Sequence, residues 1–206
     1  MTTGGYDEGY CSCPCFWGTE PSSLVRVLRE RAGTFRGSMV LDAGCGEGKN
    51  AAFFAREGAI VDAIDSSEHA VCNGRRQWPE LEGIRWQVAD VRRIDLPVER
   101  YDVVVAYGLL HCMQSAVEIR SMITGLQRAT RPNGHFLLCA FNARFQDLSA
   151  HPGFTPCLLS HDEYVNAFSN WEILVGSDSD LTERHPHNDI EHTHALTRVL
   201  ARKPRS

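Results

Sequence analysis

The feature that most constrains this chain is a glycine-rich turn between a short apolar run and a helix-like stretch. Residues 39–48 read MVLDAGCGEG, with glycine at every second position from Gly44 to Gly48. Residues 49–57 then have the apolar spacing of a helix, and Gly58 marks the predicted end of that helix. Strand, glycine turn and helix in this order are typical of the first βα unit of a Rossmann-type fold, where a nucleotide binds against the helix N-terminus.

The spacing of the glycines indicates the kind of nucleotide. A dinucleotide site has the pattern G-x-G-x-x-G, whereas here Asp42 leads a tighter G-x-G-x-G. A carboxylate at Asp42 repels a pyrophosphate and attracts a ligand with a cationic amino group. The turn therefore favours a cationic nucleotide ligand, and a tight turn without a ligand is the alternative.

This acid-led pattern resembles the first motif of the class I S-adenosylmethionine (SAM) methyltransferases. The resemblance implies an α/β fold with a Rossmann-like, seven-stranded, mainly parallel sheet, helices on both faces and the last strand antiparallel. It also implies SAM as the cofactor. The loop residues expected to bind it are Asp42, Gly44, Cys45, Gly46 and Gly48.

Acids that follow two further predicted strands extend the cofactor site. Asp65 ends the predicted strand 59–64, where an acid can accept hydrogen bonds from both ribose hydroxyls, with Ser66 beside it. A strand-end cap is the alternative role for Asp65. The predicted strand 84–89 leads into Asp90 and Val91, and the resemblance implies that an acid here accepts from the adenine amine, with Asp95 as a nearby competitor.

The loop after the predicted strand 101–106 contains the catalytic candidates. This strand is almost continuously apolar, as central parallel strands are. Ligands of open α/β sheets bind where such strands end. We therefore expect Tyr107 to contact the cofactor and take part in catalysis. His111 is a candidate general base and substrate contact, because its ordinary pKa lies near neutrality; a purely structural histidine is the alternative.

The N-terminal segment combines cysteines with two large aromatic residues. The alternating Cys11, Cys13 and Cys15 with a proline predict an extended segment, and their spacing differs from the C-x-x-C of common zinc sites. Phe16 and Trp17 are expected to fold onto the protein and contact substrate, since the resemblance implies that this segment covers the cofactor and acceptor. Aromatics that fill a core edge are the alternative.

The chain divides accordingly into two parts. Residues 1–20 are predicted to be a covering segment, and residues 21–206 a SAM-binding methyltransferase domain. The length and apolar content suit one domain with a real core.

Several histidines occur between the last two predicted strands, 171–175 and 194–202. Residues 178–192 are predicted to be a hairpin loop whose tip lies beside the cofactor. The residues assigned to the acceptor end are Arg184, to hold an oxyanion, and His185, His187, His192 and His194, of which His192 and His194 are catalytic candidates. Imidazoles also bind metals. A solvated loop is the simpler interpretation, so no metal is assigned to the histidines or to the cysteines, and the sequence leaves both open.

Composition excludes some classes of partner. The net charge is −5 with no long basic run, which argues against nucleic acid. No apolar run reaches the length of a membrane span, and the N-terminus lacks the features of a signal peptide. Eight cysteines without an export signal predict a cytoplasmic, reducing location without disulfides. We expect a monomer or homodimer.

The predicted activity is SAM-dependent methyl transfer to a small-molecule acceptor: a thiol, amine, hydroxyl or metalloid oxyanion. No insertion resembles a cradle for protein or RNA. The FWG-containing N-terminal segment and the LARKP ending resemble the tellurite-resistance and related small-molecule methyltransferases. Two alternatives are a nicotinamide-binding oxidoreductase and a non-catalytic metal- or metalloid-binding protein on the same fold.

Overall fold

A computed structural model of the chain describes residues 6–185 and 189–205. Within these residues, seven strands form one sheet in the order β3-β2-β1-β4-β5-β7-β6. The strands are β1 (Met39–Ala43), β2 (Ile60–Asp65), β3 (Ile84–Val88), β4 (Tyr101–Tyr107), β5 (Thr130–Gln146), β6 (Glu172–Glu183) and β7 (His192–Arg202). β7 runs opposite to the other six strands, which all point in the same direction. The predicted fold class is therefore confirmed.

In the described part of the chain, six α-helices accompany the sheet. They are α1 (Tyr6–Ser12), α2 (Ser23–Ala32), α3 (Lys49–Arg56), α4 (Glu68–Gln77), α5 (Ala116–Ala129) and α6 (His161–Asn166). The apolar side chains of α5 and α6 pack on one face of the sheet, and those of α2 and α3 pack on the other. This double cover explains the continuous apolar runs of β1 and β4, because successive side chains enter opposite cores.

The histidine-rich hairpin differs from its prediction. The predicted loop 178–192 is wrong in its extent, because β6 continues to Glu183 and pairs with β7 from His192 onward. The sequence of β6 there alternates polar and partly buried positions, since it is an edge strand with one face exposed. The hairpin tip is therefore short, and its residues 186–188 lie outside the described part of the chain.

The N-terminal segment is the second difference. An extended conformation was expected from the cysteine–proline pattern, but α1 is a helix that includes Cys11. Asp7 and Glu8 lie in its first turn, where acids interact favourably with the helix dipole. Pro14 follows the end of the helix and so does not interrupt it.

Among the described residues, none of the helices has the length and apolar character needed to cross a membrane.

Candidate cofactor and acceptor site

A cavity of about 490 Å³ opens at the carboxyl ends of the parallel strands. This volume lies within the range of small-molecule and cofactor pockets. The predicted site residues that line it are Trp17, Gly44, Cys45, Gly46, Gly48, Asp65, Ser66, Asp90, Val91, Tyr107 and His111. The sheet topology therefore brings the glycine loop, the strand-end acids and the loop after β4 to one place.

The glycine loop is constrained by its neighbours as well as by a ligand. Gly44, Gly46 and Gly48 all have positive φ, at +69°, +55° and +77°. A Cβ at Gly46 would lie 2.8 Å from the Tyr10 hydroxyl, and one at Gly48 would collide with the Trp86 ring. Only glycine fits this left-handed, crowded path.

Asp65 holds the loop and faces the cavity. Its Oδ2 accepts a hydrogen bond from the Gly46 N–H at 2.8 Å, and its Oδ1 accepts from the Ser67 N–H at 2.8 Å. A carboxylate can accept about four hydrogen bonds, so capacity for two hydroxyl donors remains. Burial raises the pKa of Asp65, so a hydrogen-bond donor or a cation in the cavity would stabilise its ionised form.

Asp42 does not line the cavity, contrary to the expectation that it contacts the cofactor. Its side chain is buried beneath the loop and accepts from the Ala51 N–H at 3.1 Å. That amide belongs to the first turn of α3, whose free N–H groups attract a carboxylate. Burial raises the pKa of Asp42 to about 7, so the group anchors α3 to β1.

This shift gives Asp42 a testable effect on stability. Between about pH 5 and pH 6.5 the folded state keeps a proton that the unfolded state has released, so the free energy of unfolding should fall by about 1 kcal/mol per pH unit as pH rises. In Asp42→Asn this contribution should disappear. Urea unfolding of the ligand-free protein across this pH range, with exposed Asp95→Asn as control, measures it. Equal slopes for wild type and Asp42→Asn would contradict the assignment.

Asp90 lines the cavity, but its carboxylate is already hydrogen-bonded to Arg92. Its two carboxylate oxygens each accept from the Arg92 guanidinium at 2.8 Å, and the Arg92 hydrogen bonds lower the pKa of Asp90. Arg92 also bonds to Glu118. Asp90 is thus a fixed, ionised acceptor, and the predicted adenine contact would share its oxygens with Arg92.

The N-terminal segment closes the cavity. Tyr6, Asp7 and Tyr10 of α1 line it together with Trp17. The buried Glu47 carboxylate anchors the segment by accepting from the N–H groups of Cys15 at 2.8 Å and of the next residue at 2.7 Å. No local pattern indicates this role, because the partners lie more than 30 positions apart along the chain.

Phe16 is buried beside the cavity rather than in its wall. Its ring contacts the rings of Tyr10, Trp17 and His185. Trp17, in contrast, lines the cavity and donates from Nε1 to the Tyr10 hydroxyl at 3.0 Å. Trp17 therefore remains a substrate candidate, whereas Phe16 supports the covering segment.

His111 lines the cavity in a state that does not suit a general base. The Phe141 N–H donates to its Nδ1 at 3.2 Å, so the neutral ring carries its proton on Nε2, which lies 3.4 Å from the Tyr6 hydroxyl. Burial lowers the pKa of His111 to about 3. Its one lone pair is thus occupied by a backbone amide, and the ring can donate a hydrogen bond into the cavity but not accept a proton there.

The remaining acceptor candidates lie outside the cavity wall. His192 and His194 are buried in a separate group of histidines, and exposed Arg184 pairs with Glu191 at 3.0 Å. The structure places none of these three residues in the cavity wall, and their catalytic and oxyanion roles stay predictions. His187 is not among the described residues.

Several charged residues of the cavity were missed by sequence reasoning. Lys49, Glu183 and Arg198 line the same cavity. Lys49 donates to the Trp17 carbonyl at 3.0 Å, and Arg198 donates to Ser179 at 2.6 Å. Strand alternation could have placed Glu183 and Arg198 on a face, but it does not say which face meets the cavity.

Sheet order, the glycine loop and the cavity at the strand ends together define a Rossmann-like nucleotide-binding protein. A family profile described as a methyltransferase domain matches residues 40–134. The chain is 29% identical over 155 residues to hemagglutinin 1 of Eikenella corrodens, which covers 72% of this chain and 48% of that protein. It is 32% identical over 123 residues to the ubiquinone biosynthesis O-methyltransferase of Acinetobacter baumannii, which covers 56% of this chain and 48% of that protein.

Two solved structures have the same fold. TehB from Haemophilus influenzae superposes with a TM-score of 0.74 at 19% identity, over 88% of this chain and 62% of that one. The Burkholderia thailandensis 1,6-didemethyltoxoflavin-N1-methyltransferase, solved with its substrate and S-adenosylhomocysteine (SAH), superposes with a TM-score of 0.63 at 21% identity, over 87% and 76% of the two chains.

The profile match identifies residues 40–134 as a methyltransferase domain, and the predicted resemblance to class I SAM-dependent methyltransferases, with SAM as the cofactor, is confirmed. The chain spans about half the length of the curated relatives it matches.

Proposed function

We propose that the protein transfers the methyl group of SAM to a small molecule bound beneath the N-terminal segment. The observation that carries this proposal is the cavity itself, in which the glycine loop and Asp65 face the closed cover made by α1 and Trp17. A cover this near the cofactor leaves room for a small acceptor rather than a folded macromolecule. The ubiquinone and toxoflavin methyltransferases among its relatives are named for small-molecule acceptors.

The SAM subsite follows from the loop and the two acids. Asp65 accepts the ribose hydroxyls, and Asp90 with Val91 borders the adenine, while Gly44 to Gly48 let the backbone approach the ligand. Cys45, Ser66 and Tyr107 complete the wall of this subsite. The protein then mainly aligns an acceptor atom with the methyl group for in-line displacement, with SAH as the leaving group.

The polar groups near the acceptor end favour an acceptor that arrives as an anion. His111 has no free lone pair, and burial raises the pKa of Tyr107 to about 12, so both donate hydrogen bonds at neutral pH. Lys49 and Arg198 add positive charge to the same cavity, where burial raises the pKa of Glu183 and so disfavours its negative charge. A thiolate or an oxyanion fits these donors and needs no general base, whereas a neutral amine or alcohol does.

A ligand titration tests the proposal. We expect SAM and SAH to bind with dissociation constants in the micromolar range or below, about 8 kcal/mol or more of binding free energy, and NAD to bind at least a hundredfold more weakly. Calorimetry with the three ligands measures this. Incubation with labelled SAM and separate pools of thiols, phenols, amines and metalloid oxyanions then identifies the acceptor. Preferred NAD binding would restore the oxidoreductase alternative, which the comparisons do not favour.

The proposal also covers the domain organisation, location and oligomeric state of the protein. The segment 1–20 is assigned as a cover on the domain 21–206, and the contact of α1 with α4 in its described part supports this assignment. All eight cysteines are free, which suits a cytoplasmic, reducing compartment. A monomer or homodimer is expected in solution, and light scattering after gel filtration measures which.

A further inference from the structure

Four buried histidines lie together beside the cavity, at the base of the β6–β7 hairpin. His192 and His194 belong to β7, His185 follows β6, and His151 comes from the segment after β5. None is more than 7% exposed, and the ring centroids of neighbouring pairs are 4.6–5.2 Å apart. We call these four residues the imidazole cluster.

Hydrogen bonds fix the proton positions of two rings. His192 donates from Nδ1 to the Ile190 carbonyl at 2.8 Å, and His194 donates from Nδ1 to Gln146 Oε1 at 2.8 Å. The orientation of the Gln146 amide is itself fixed, because its Nε2 donates to two backbone carbonyls. Both histidines therefore direct an unprotonated Nε2 into the cluster. Metal-binding histidines have this arrangement, in which the second ring nitrogen donates to a carbonyl.

The Nε2 atoms are spaced as ligands of one ion. His192 Nε2 is buried and has no hydrogen-bond partner within residues 6–185 and 189–205. The His151 Nε2 lies 3.2 Å from the His185 Nε2 and 3.3 Å from the His194 Nε2. Nitrogens that bind tetrahedral zinc at 2.0–2.1 Å are about 3.3–3.4 Å apart. A buried nitrogen without a partner, next to ring nitrogens at this spacing, is an arrangement that a bound ion would satisfy.

We propose that the imidazole cluster binds one divalent transition-metal ion of the zinc type. His151, His185 and His192 supply three ring nitrogens, one from each side chain, that lie within 4.8 Å of one another. The fourth ligand is His194, or the Glu183 carboxylate, which together with His192 and His194 forms a second group of the same size. Imidazole ligands select zinc, copper or nickel over magnesium and calcium.

The proposed ion has a structural place in the fold. A closed set of protein ligands is typical of structural zinc sites, and these ligands join the hairpin to the segment that carries His151. The Phe141 ring separates the cluster from the cavity, since it stacks on His194 at 4.0 Å and on His111 at 3.9 Å. Glu183 is the link, because it lines the cavity and lies 3.9 Å from His192 Nε2. The metal therefore stabilises the residues behind the wall of the acceptor subsite but does not itself line the cavity.

Metal binding to the purified full chain tests the proposal. After chelator treatment, we expect one Zn²⁺ per chain to rebind and to raise Tm, and Co²⁺ to give the visible bands of a tetrahedral site without thiolate charge transfer. His192→Gln and His185→Gln should each weaken Zn²⁺ binding at least a hundredfold. Exposed His69→Gln should bind Zn²⁺ as wild type does.

The outcomes separate this proposal from the methyltransferase assignment. SAH affinity of His192→Gln should stay within a few fold of wild type, because the cluster lies outside the cofactor subsite. Should His192→Gln fail to fold, His185→Gln and the Co²⁺ spectrum of the wild type still decide the question. Absence of stoichiometric Zn²⁺ binding at micromolar concentration overturns the proposal. So does thiolate charge transfer, which would move the site to the cysteines.

Discussion

Replacement of Asp65 by alanine is expected to weaken SAH binding at least a hundredfold. Two hydrogen bonds from ribose hydroxyls to a charged carboxylate contribute about 1.5–3 kcal/mol each, and about 1.4 kcal/mol corresponds to a factor of ten. The same carboxylate also holds the Gly46 and Ser67 amides. Its removal therefore costs the ligand both a direct partner and the geometry of the glycine loop.

Calorimetric titration with SAH measures the loss, and two variants interpret it. Asp95→Ala removes an exposed acid from the loop that follows β3, and this variant should bind SAH as the wild type does. Asp65→Asn keeps the shape of the side chain but offers an N–H₂ group where one backbone N–H already donates, so it should bind almost as poorly as alanine. Wild-type affinity in Asp65→Ala would show that the ribose lies elsewhere.

The parts of the structure that could be predicted from sequence are those encoded locally. Period-two and continuous apolar runs place the parallel strands, and Ser22 and Gly33 flank α2 where the capping signals are. The acid-led glycine pattern then locates the cofactor loop, because the chemistry of a βα turn is contained in about ten neighbouring residues. Those signals sufficed for the family, the fold and the cofactor.

What could not be predicted depends on contacts between distant residues. Glu47 anchors Cys15 and its neighbour across more than 30 positions, and no periodicity of either segment encodes that pairing. Asp42 was assigned to the ligand by its charge, but burial beneath the loop makes the α3 amide its partner. The sequence shows the sign of a side chain's charge, but it does not show how deeply that side chain is buried.

The histidine hairpin shows that a correct topology does not by itself place a side chain in the cavity wall. The hairpin does lie beside the loop after β4, and strand alternation does place His192 and His194 on one side. That side meets Phe141 and the distant His151 instead of the cavity. Only the three-dimensional packing distinguishes an acceptor wall from a layer behind it.

The cover over the cofactor makes Gly46 a position where a side chain should disturb both the glycine loop and the cover. In Gly46→Val, a β-branched residue at φ +55° costs about 1–2 kcal/mol or more. Its Cβ would also lie 2.8 Å from the Tyr10 hydroxyl, which holds Trp17 over the cavity. Overpacking of this kind costs about 1–3 kcal/mol. We expect a lower Tm and at least a hundredfold loss of SAH affinity.

Other substitutions separate the effect of backbone strain at positive φ from the effect of the collision with the Tyr10 hydroxyl. Gly37 has a similar φ of +76° with open space around it, so Gly37→Val should lose stability but keep SAH binding. Gly125→Ala, in the helix α5 and without a close neighbour, should gain about 0.5–1 kcal/mol. In a Gly46→Ala protein, Tyr10→Phe removes the colliding oxygen and should restore part of the affinity. If Gly37→Val weakens SAH binding as much as Gly46→Val does, general destabilisation explains the loss, and the contact between the glycine loop and α1 does not.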